Sequence, residues 1–129
     1  MILSGLIPGG SNNGYSFSLW NNSTTGVNFG VKGQITAVTG IDPVVTNPSK
    51  LEIAVYETGA TPGLTTTASS AWISLADWQT TTRDLNSVLT PGTGNTKNYR
   101  VAVRLLSDAD NEWQGKTVTM TFTVTGTQP

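Results

Sequence analysis

An all-β fold, a jelly-roll-like β-sandwich of about seven or eight strands with an N-terminal strand extension, follows from three observations. The first is the run Lys116 to Thr125, in which Val118, Met120, Phe122 and Val124 alternate without a break against threonines. Side chains on a strand alternate between faces, so this run has one apolar face and one threonine face. The second is composition: only 12% of residues are charged, about half the usual share of roughly 25%. Threonine, serine, glycine and asparagine supply the polar surface instead. The third is the recurrence of short alternating runs separated by glycine, proline and asparagine clusters, the pattern of a multi-stranded sandwich.

Residues 1–14 divide into an apolar segment, Ile2 to Ile7, and a glycine- and asparagine-rich stretch from Pro8 to Gly14. One reading makes the segment an ordinary first strand of its own domain. The sharper reading makes it an arm, with Ile2, Leu3, Leu6 and Ile7 as a donor strand on a flexible hinge, and leaves residues 15–129 as the sandwich. Tyr15 to Trp20 alternates and ends at the turn Asn21-Asn22-Ser23-Thr24. Val27 to Val38 reads as a strand pair or one bent strand, with Gly33 marking a bulge or bend. Gly40 to Lys50 is a loop carrying Pro43 and Pro48. Leu51 to Tyr56 is a clean strand with Leu51, Ile53 and Val55 inward. Residues 58–70 form a long Gly/Pro/Thr loop of the kind that often interacts.

Ala71 to Trp78 reads as either a strand or one helical turn, since Ser74 and Asp77 have capping-box spacing. Arg83 to Leu89 leads into the turn cluster Thr90 to Asn95. Tyr99 to Leu106 alternates again, and Ser107 to Gly115 is the loop before the final strand. The chain carries no internal repeat. In this reading Val118, Met120, Phe122 and Val124 are both core and the acceptor strand on which an added strand would pair.

Composition excludes several functions. The net charge is −1 and the seven basic residues are scattered, so the electrostatic footprint of a nucleic-acid or anionic-membrane partner is missing. There is no histidine and no cysteine. Ser-His-Asp and Cys-His catalysis, histidine-ligated zinc and disulfides are therefore all absent. No apolar run is long enough to span a bilayer, so no membrane insertion is expected. Met1 to Ile7 is too short and lacks the basic leader of a signal peptide. No carboxylate pair argues for glycoside hydrolysis, and the chain reads as a non-enzyme without a cofactor.

Two further sets of residues are candidates for chemistry. Asp108, Asp110 and Glu112 could offer hard oxygen ligands to calcium, although Asp- and Asn-rich turns beside strands arise for backbone reasons alone. Asn21 and Asn22 head two overlapping N-x-[ST] sequons, candidates for glycosylation in a secreted setting. Trp20, Trp72, Trp78 and Trp113 could form a sugar platform, but sandwich cores consume tryptophans routinely.

The stretch Asn111-Glu112-Trp113-Gln114-Gly115-Lys116-Thr117-Val118-Thr119-Met120-Thr121-Phe122, with Thr127-Gln128 beyond it, resembles the closing motif of the camelysin/TasA-type family of biofilm-fibre proteins. The likeness covers about the last 30 residues; the remainder is similar only in style. It implies an extracellular jelly-roll subunit that polymerises head to tail into a filament, pilus or biofilm-matrix fibre, an N-terminal strand of one copy completing the sheet of the next. Some members of that family are described as metalloproteases. Without histidine or cysteine this chain departs from them, and the protease role does not transfer. The bottom-up reading meets the same expectation, since strand addition is an established recognition mode. The alternatives are a monomeric extracellular module binding carbohydrate or protein through the 58–70 loop and exposed tryptophans, and a viral coat or decoration protein of the same fold.

Overall fold

Alternation, turn chemistry and capping translate into a definite order of elements in a computed structural model, which describes residues 2–3, 6–40, 47–58 and 71–128. The strands are β1 (Ile2–Leu3), β2 (Ser11–Leu19), β3 (Phe29–Gly40), β4 (Leu51–Glu57), β5 (Ile73–Ser74), β6 (Arg83–Leu89), β7 (Lys97–Leu105) and β8 (Val118–Thr127). One helical turn and a half, α1 (Leu75–Thr80), follows β5 directly. The chain pairs with itself as a long antiparallel hairpin: β1 with β8, β2 with β7, β3 with β6 and β4 with β5. Added pairing of β3 with β8 and of β4 with β7 wraps that hairpin into two four-stranded sheets. Their orders are β1-β8-β3-β6 and β2-β7-β4-β5. This is an eight-stranded jelly roll, two antiparallel sheets face to face.

The core lies between the sheets. Val31 and Ile35 of β3, Leu85 and Leu89 of β6, and Val118 and Met120 of β8 come from one sheet. Leu51, Ile53 and Val55 of β4 and Tyr99, Val101, Val103 and Leu105 of β7 meet them from the other. Trp78 and Trp113 are fully buried in the same cluster, and Trp78 Nε1 donates to the Ile53 carbonyl at 2.9 Å. These two tryptophans belong to the core, not to a platform. A second, smaller cluster of Ala54, Tyr56 and Ala102 lies on alternate residues of β4 and β7, with Trp72 packed against it.

The helical alternative at Ala71 to Trp78 holds for its second half. Ser74 ends β5 in extended conformation and its Oγ accepts from the Asp77 amide at 3.2 Å, the cap that starts α1. Gly33 is not itself a bulge. The irregularities of β3 fall on either side of it, between Gly30 and Lys32 towards β6 and between Ile35 and Ala37 towards β8. Gly33 instead makes room: a Cβ there would lie 2.5 Å from the Phe122 ring.

The start of the chain corrects two expectations. Pro8 to Gly14 is not one flexible hinge. Gly10 N–H bonds to the Ile7 carbonyl at 2.8 Å across Pro8 and Gly9, with Gly9 at φ 78°, the signature of a type II turn. Gly9 N–H and the Gly10 carbonyl then bond to Leu105, at 2.9 and 3.1 Å, and β2 begins at Ser11 opposite Arg104. A boundary at residue 14 therefore falls inside a strand, because pairing with β7 recruits residues of low strand propensity. Further, Ile2–Leu3 pairs with β8 of its own chain, Ile2 opposite Thr119 and Leu3 opposite Val118, and Leu6 is buried in the core. In the single chain the arm is thus an ordinary first strand, though a very short one.

Candidate functional site

Burial along β8 changes where β1 stops. Val118 and Met120 are fully buried, but Phe122 and Val124, next on the same face, are only half-buried. β3 pairs with β8 along its whole length, from Gly40 opposite Val118 to Gly30 opposite Thr127. On its other side the described residues give β8 only β1, paired at Val118 and Thr119. From Thr121 to Thr127 the described residues provide no strand partner on that edge. Across from it, in the second sheet, β2 is also an outermost strand.

Between these two edges lies an apolar trough. One lobe, about 370 Å³, is lined by Tyr15 to Leu19 of β2, Val101, Phe122 and Val124. The other, about 490 Å³, continues past Leu19 and Val124 to Phe29, Val31, Leu89 and Gly126, with Trp20 to Ser23 at its end. No lining residue of either lobe is charged. Aromatic rings form the floor: Phe17 stacks on Tyr99 at 5.1 Å, Phe122 tilts against Phe17 at 5.6 Å, and Trp78 meets Phe122 edge-on at 5.8 Å. Trp20 is 54% exposed.

Tyr15 closes the trough at the β1 end. Its hydroxyl accepts from the Ile2 amide at 2.8 Å and donates to the Ile2 carbonyl. Of the four donor-strand residues expected from sequence, Leu6 is buried, its carbonyl accepting from Gly115 N–H at 2.8 Å. Ile2 and Ile7 are 56% and 61% exposed. Leu3 contributes its backbone to the ladder. The four expected acceptor residues split into buried Val118 and Met120 and the trough-lining pair Phe122 and Val124.

The other candidates separate in the structure. Asn21 is 2% exposed, and its Nδ2 donates to the carbonyls of Val27 (2.6 Å) and Leu89 (2.9 Å) while Oδ1 accepts from Ser23 N–H at 2.9 Å. A glycan needs that same nitrogen, so the folded chain cannot carry one at Asn21: the sequon there is a structural asparagine. Asn22 is exposed and its sequon stays open. Asp108 Oδ2 lies 2.8 Å from Lys50 Nζ, and this ammonium holds the Asp108 carboxyl below the usual carboxylate range. Among the described residues no three of Asp, Glu, His or Cys come together to hold a metal, so Asp108, Asp110 and Glu112 do not form a shared site. Trp72 lies under Arg104, whose Cζ is 4.4 Å from the ring centroid and whose Nε donates to Glu52 at 2.6 Å. Residues 59–70, most of the long loop, fall outside the described residues. No described helix is long and apolar enough to cross a membrane.

The alternation of the sequence does not mark the trough. Alternation in β8 is the same on both sides of Met120, and only the length of β1 decides where cover ends. No protein-family model matches the chain, and no curated protein or solved structure matches it either.

Proposed function

We propose that this protein is a structural subunit of an extracellular filament, pilus or biofilm-matrix fibre, polymerising head to tail as residues 2–7 of one copy join the sheet of the next. The observation that carries the reading is the arm's place in the fold. Among the described residues it is an edge strand held by two ladder pairs, with Ile2 and Ile7 largely in solvent. The pairing seen within one chain is the strand addition the proposal requires between chains. Exchange of such an element between identical copies needs no new chemistry, and a donor surface distinct from its acceptor gives an open chain of subunits. A charge-poor, threonine-rich surface fits the extracellular placement, and no catalytic role is part of the reading.

The test is deletion of residues 1–8, with circular dichroism to confirm folding and negative-stain microscopy to score fibres. Loss of fibres from a folded truncation is the expected result. Fibres as long as those of the intact chain would end the donor role. The jelly-roll order of the strands favours a second reading, a viral coat or decoration protein, since capsid domains use this architecture; closed shells instead of threads in the same micrographs would select it.

A further inference from the structure

We propose that the trough between β2 and β8 is a binding site for a single-chain amphiphile, an aliphatic chain of about twelve carbons with an uncharged polar head. The chain lies along Phe122 to Gly126 and the head rests at Trp20 and Asn22. This site belongs to the folded single chain and needs no assembly.

Size is the first observation. The two lobes, about 370 and 490 Å³, share Leu19 and Val124 and so form one elongated space. Each lobe falls within the range of about 300–1,000 Å³ found for small-ligand sites. Along β8 the lining runs from Phe122 to Gly126, about 13 Å of strand. An extended chain advances about 1.2 Å per bond, since three bonds carry each residue roughly 3.5 Å. About twelve carbons fill that length.

Charge is the second. Residues 11–31, 85–96 and 117–129 contain no Asp, Glu, Lys or Arg. These stretches supply every described lining residue except Val101, itself apolar. The loops at the Trp20 end are drawn from the same stretches and joined, the Asn21 carbonyl accepting from Gly92 N–H at 3.0 Å. An ionised head would leave water for a mouth without counter-charge, a cost that only pairing offsets.

The third observation is that the polar side chains of the lining are already committed. The Tyr15 hydroxyl is bonded to Ile2, and Ser18 Oγ donates to Asn98 Oδ1 at 2.6 Å. Asn21 has its three partners, and Ser23 Oγ is shared with Thr25. Ser16 and Asn22 are exposed to water. A sugar sunk here would lose hydration without replacement. A peptide backbone between the sheets would bring amides that need partners of their own. An aliphatic chain brings none. At the mouth, Trp20 stands 54% exposed beside Asn22 and Ser23, where uncharged polar groups meet the apolar lining. An indole, apolar in body and polar at one edge, suits such a boundary.

The test titrates 1-alkanols, from hexanol to tetradecanol, into the full-length protein, read by methyl NMR. Shifts should concentrate on the methyls of Leu19, Val101 and Val124. Affinity should rise about fourfold per added methylene and level off near about twelve carbons. Decanoate and decyltrimethylammonium, charged at neutral pH, should bind at least about tenfold more weakly than decanol. Val124→Trp fills the trough where the lobes meet and should abolish the shifts of Leu19 and Val101. Val88→Asp, at an exposed apolar residue outside the lining, should keep them. Circular dichroism checks that both variants fold, and the chain-length series on the parent decides the matter even if Val124→Trp does not. Equal binding of the charged congeners, the same methyls moved by maltohexaose, or no shift with any alcohol would overturn the site. Shifts produced by raising protein concentration alone would give the trough to a second copy and overturn it as well.

Discussion

Replacing Asn21 with alanine should destabilise the protein far more than the same change one residue later. The Asn21 side chain makes three hydrogen bonds, to the carbonyls of Val27 and Leu89 and from the amide of Ser23. Its own backbone carbonyl accepts from Gly92 N–H at 3.0 Å, which fixes the side chain between the turn after β2 and the end of β6. Alanine keeps the backbone bond and removes the other three. The Leu89 carbonyl bond is buried, and leaving such a group unpaired costs about 1–3 kcal/mol. The Val27 and Ser23 groups are partly accessible and recover part of their bonding from water. The total comes to roughly 2–4 kcal/mol, a fall in Tm of the order of 10 °C for a chain of this size.

Asn22→Ala, at an exposed position, should stay within about 0.5 kcal/mol of the parent. Asn21→Asp should be at least as harmful as Asn21→Ala, because it turns a carboxylate oxygen towards two carbonyls. Urea and thermal unfolding of the three variants, with unchanged m-values, give the comparison. If Asn21→Ala and Asn22→Ala unfold within 0.5 kcal/mol of each other, the structural role assigned to Asn21 is wrong. Expression in a glycosylating host supplies an independent check, since peptide mapping should find sugar at Asn22 alone.

Two further outcomes follow from the geometry. Gly33→Ala brings a methyl to 2.5 Å from Phe122 Cζ and 3.1 Å from Cε2; the ring should swing towards the open trough at a cost of about 1–3 kcal/mol, visible as a shifted Phe122 resonance, and an unmoved ring with parent stability would refute the packing. The Asp108 carboxyl, held low by Lys50, contributes stability that is present above its unfolded-state value and is lost as pH falls through its lowered folded value. Carboxyl NMR titration should return Asp108 upwards in Lys50→Gln, and an identical titration in both proteins would dismiss the pair.

The parts of the fold that were legible in sequence are those fixed by a local pattern. The alternation of β8 needs a dry face and a wet face wherever it lies, and Leu51, Ile53 and Val55 face inward as their spacing requires. The cap at Ser74 is likewise local chemistry. What was illegible depends on partners distant in sequence. Ser11 to Gly14 joins β2 only because β7 supplies the opposing ladder. Ala54 and Ala102 read as the wet face of their strands but are fully buried, in the cluster against which Trp72 packs. Nothing in an N-x-[ST] triplet tells a buried asparagine from an exposed one. The trough is the clearest case, since among the described residues no strand covers β8 beyond Met120, and a sequence pattern records what a strand offers, not what covers it.

The shortness of β1 also bears on how an arm could leave one sheet for another. Burying Leu6 contributes about 1.5–3 kcal/mol, and each laddered residue adds net hydrogen bonding of about 1 kcal/mol. Against this stands backbone ordering of about 1–2 kcal/mol for each residue fixed. With Ile2 and Leu3 the residues described in the ladder, these terms nearly cancel, so opening the arm costs little. A longer strand, fully paired in its own sheet, would have to break many bonds before it could exchange. If the arm joins a second copy, as the proposed function requires, the cover it gives exists only when two copies meet, so the balance between single chains and assembled ones turns on protein concentration, as for any oligomer. Fibre formation by the intact chain should then show a critical concentration in a dilution series scored by microscopy, and fibres that persist unchanged on dilution would count against a cheaply opened arm.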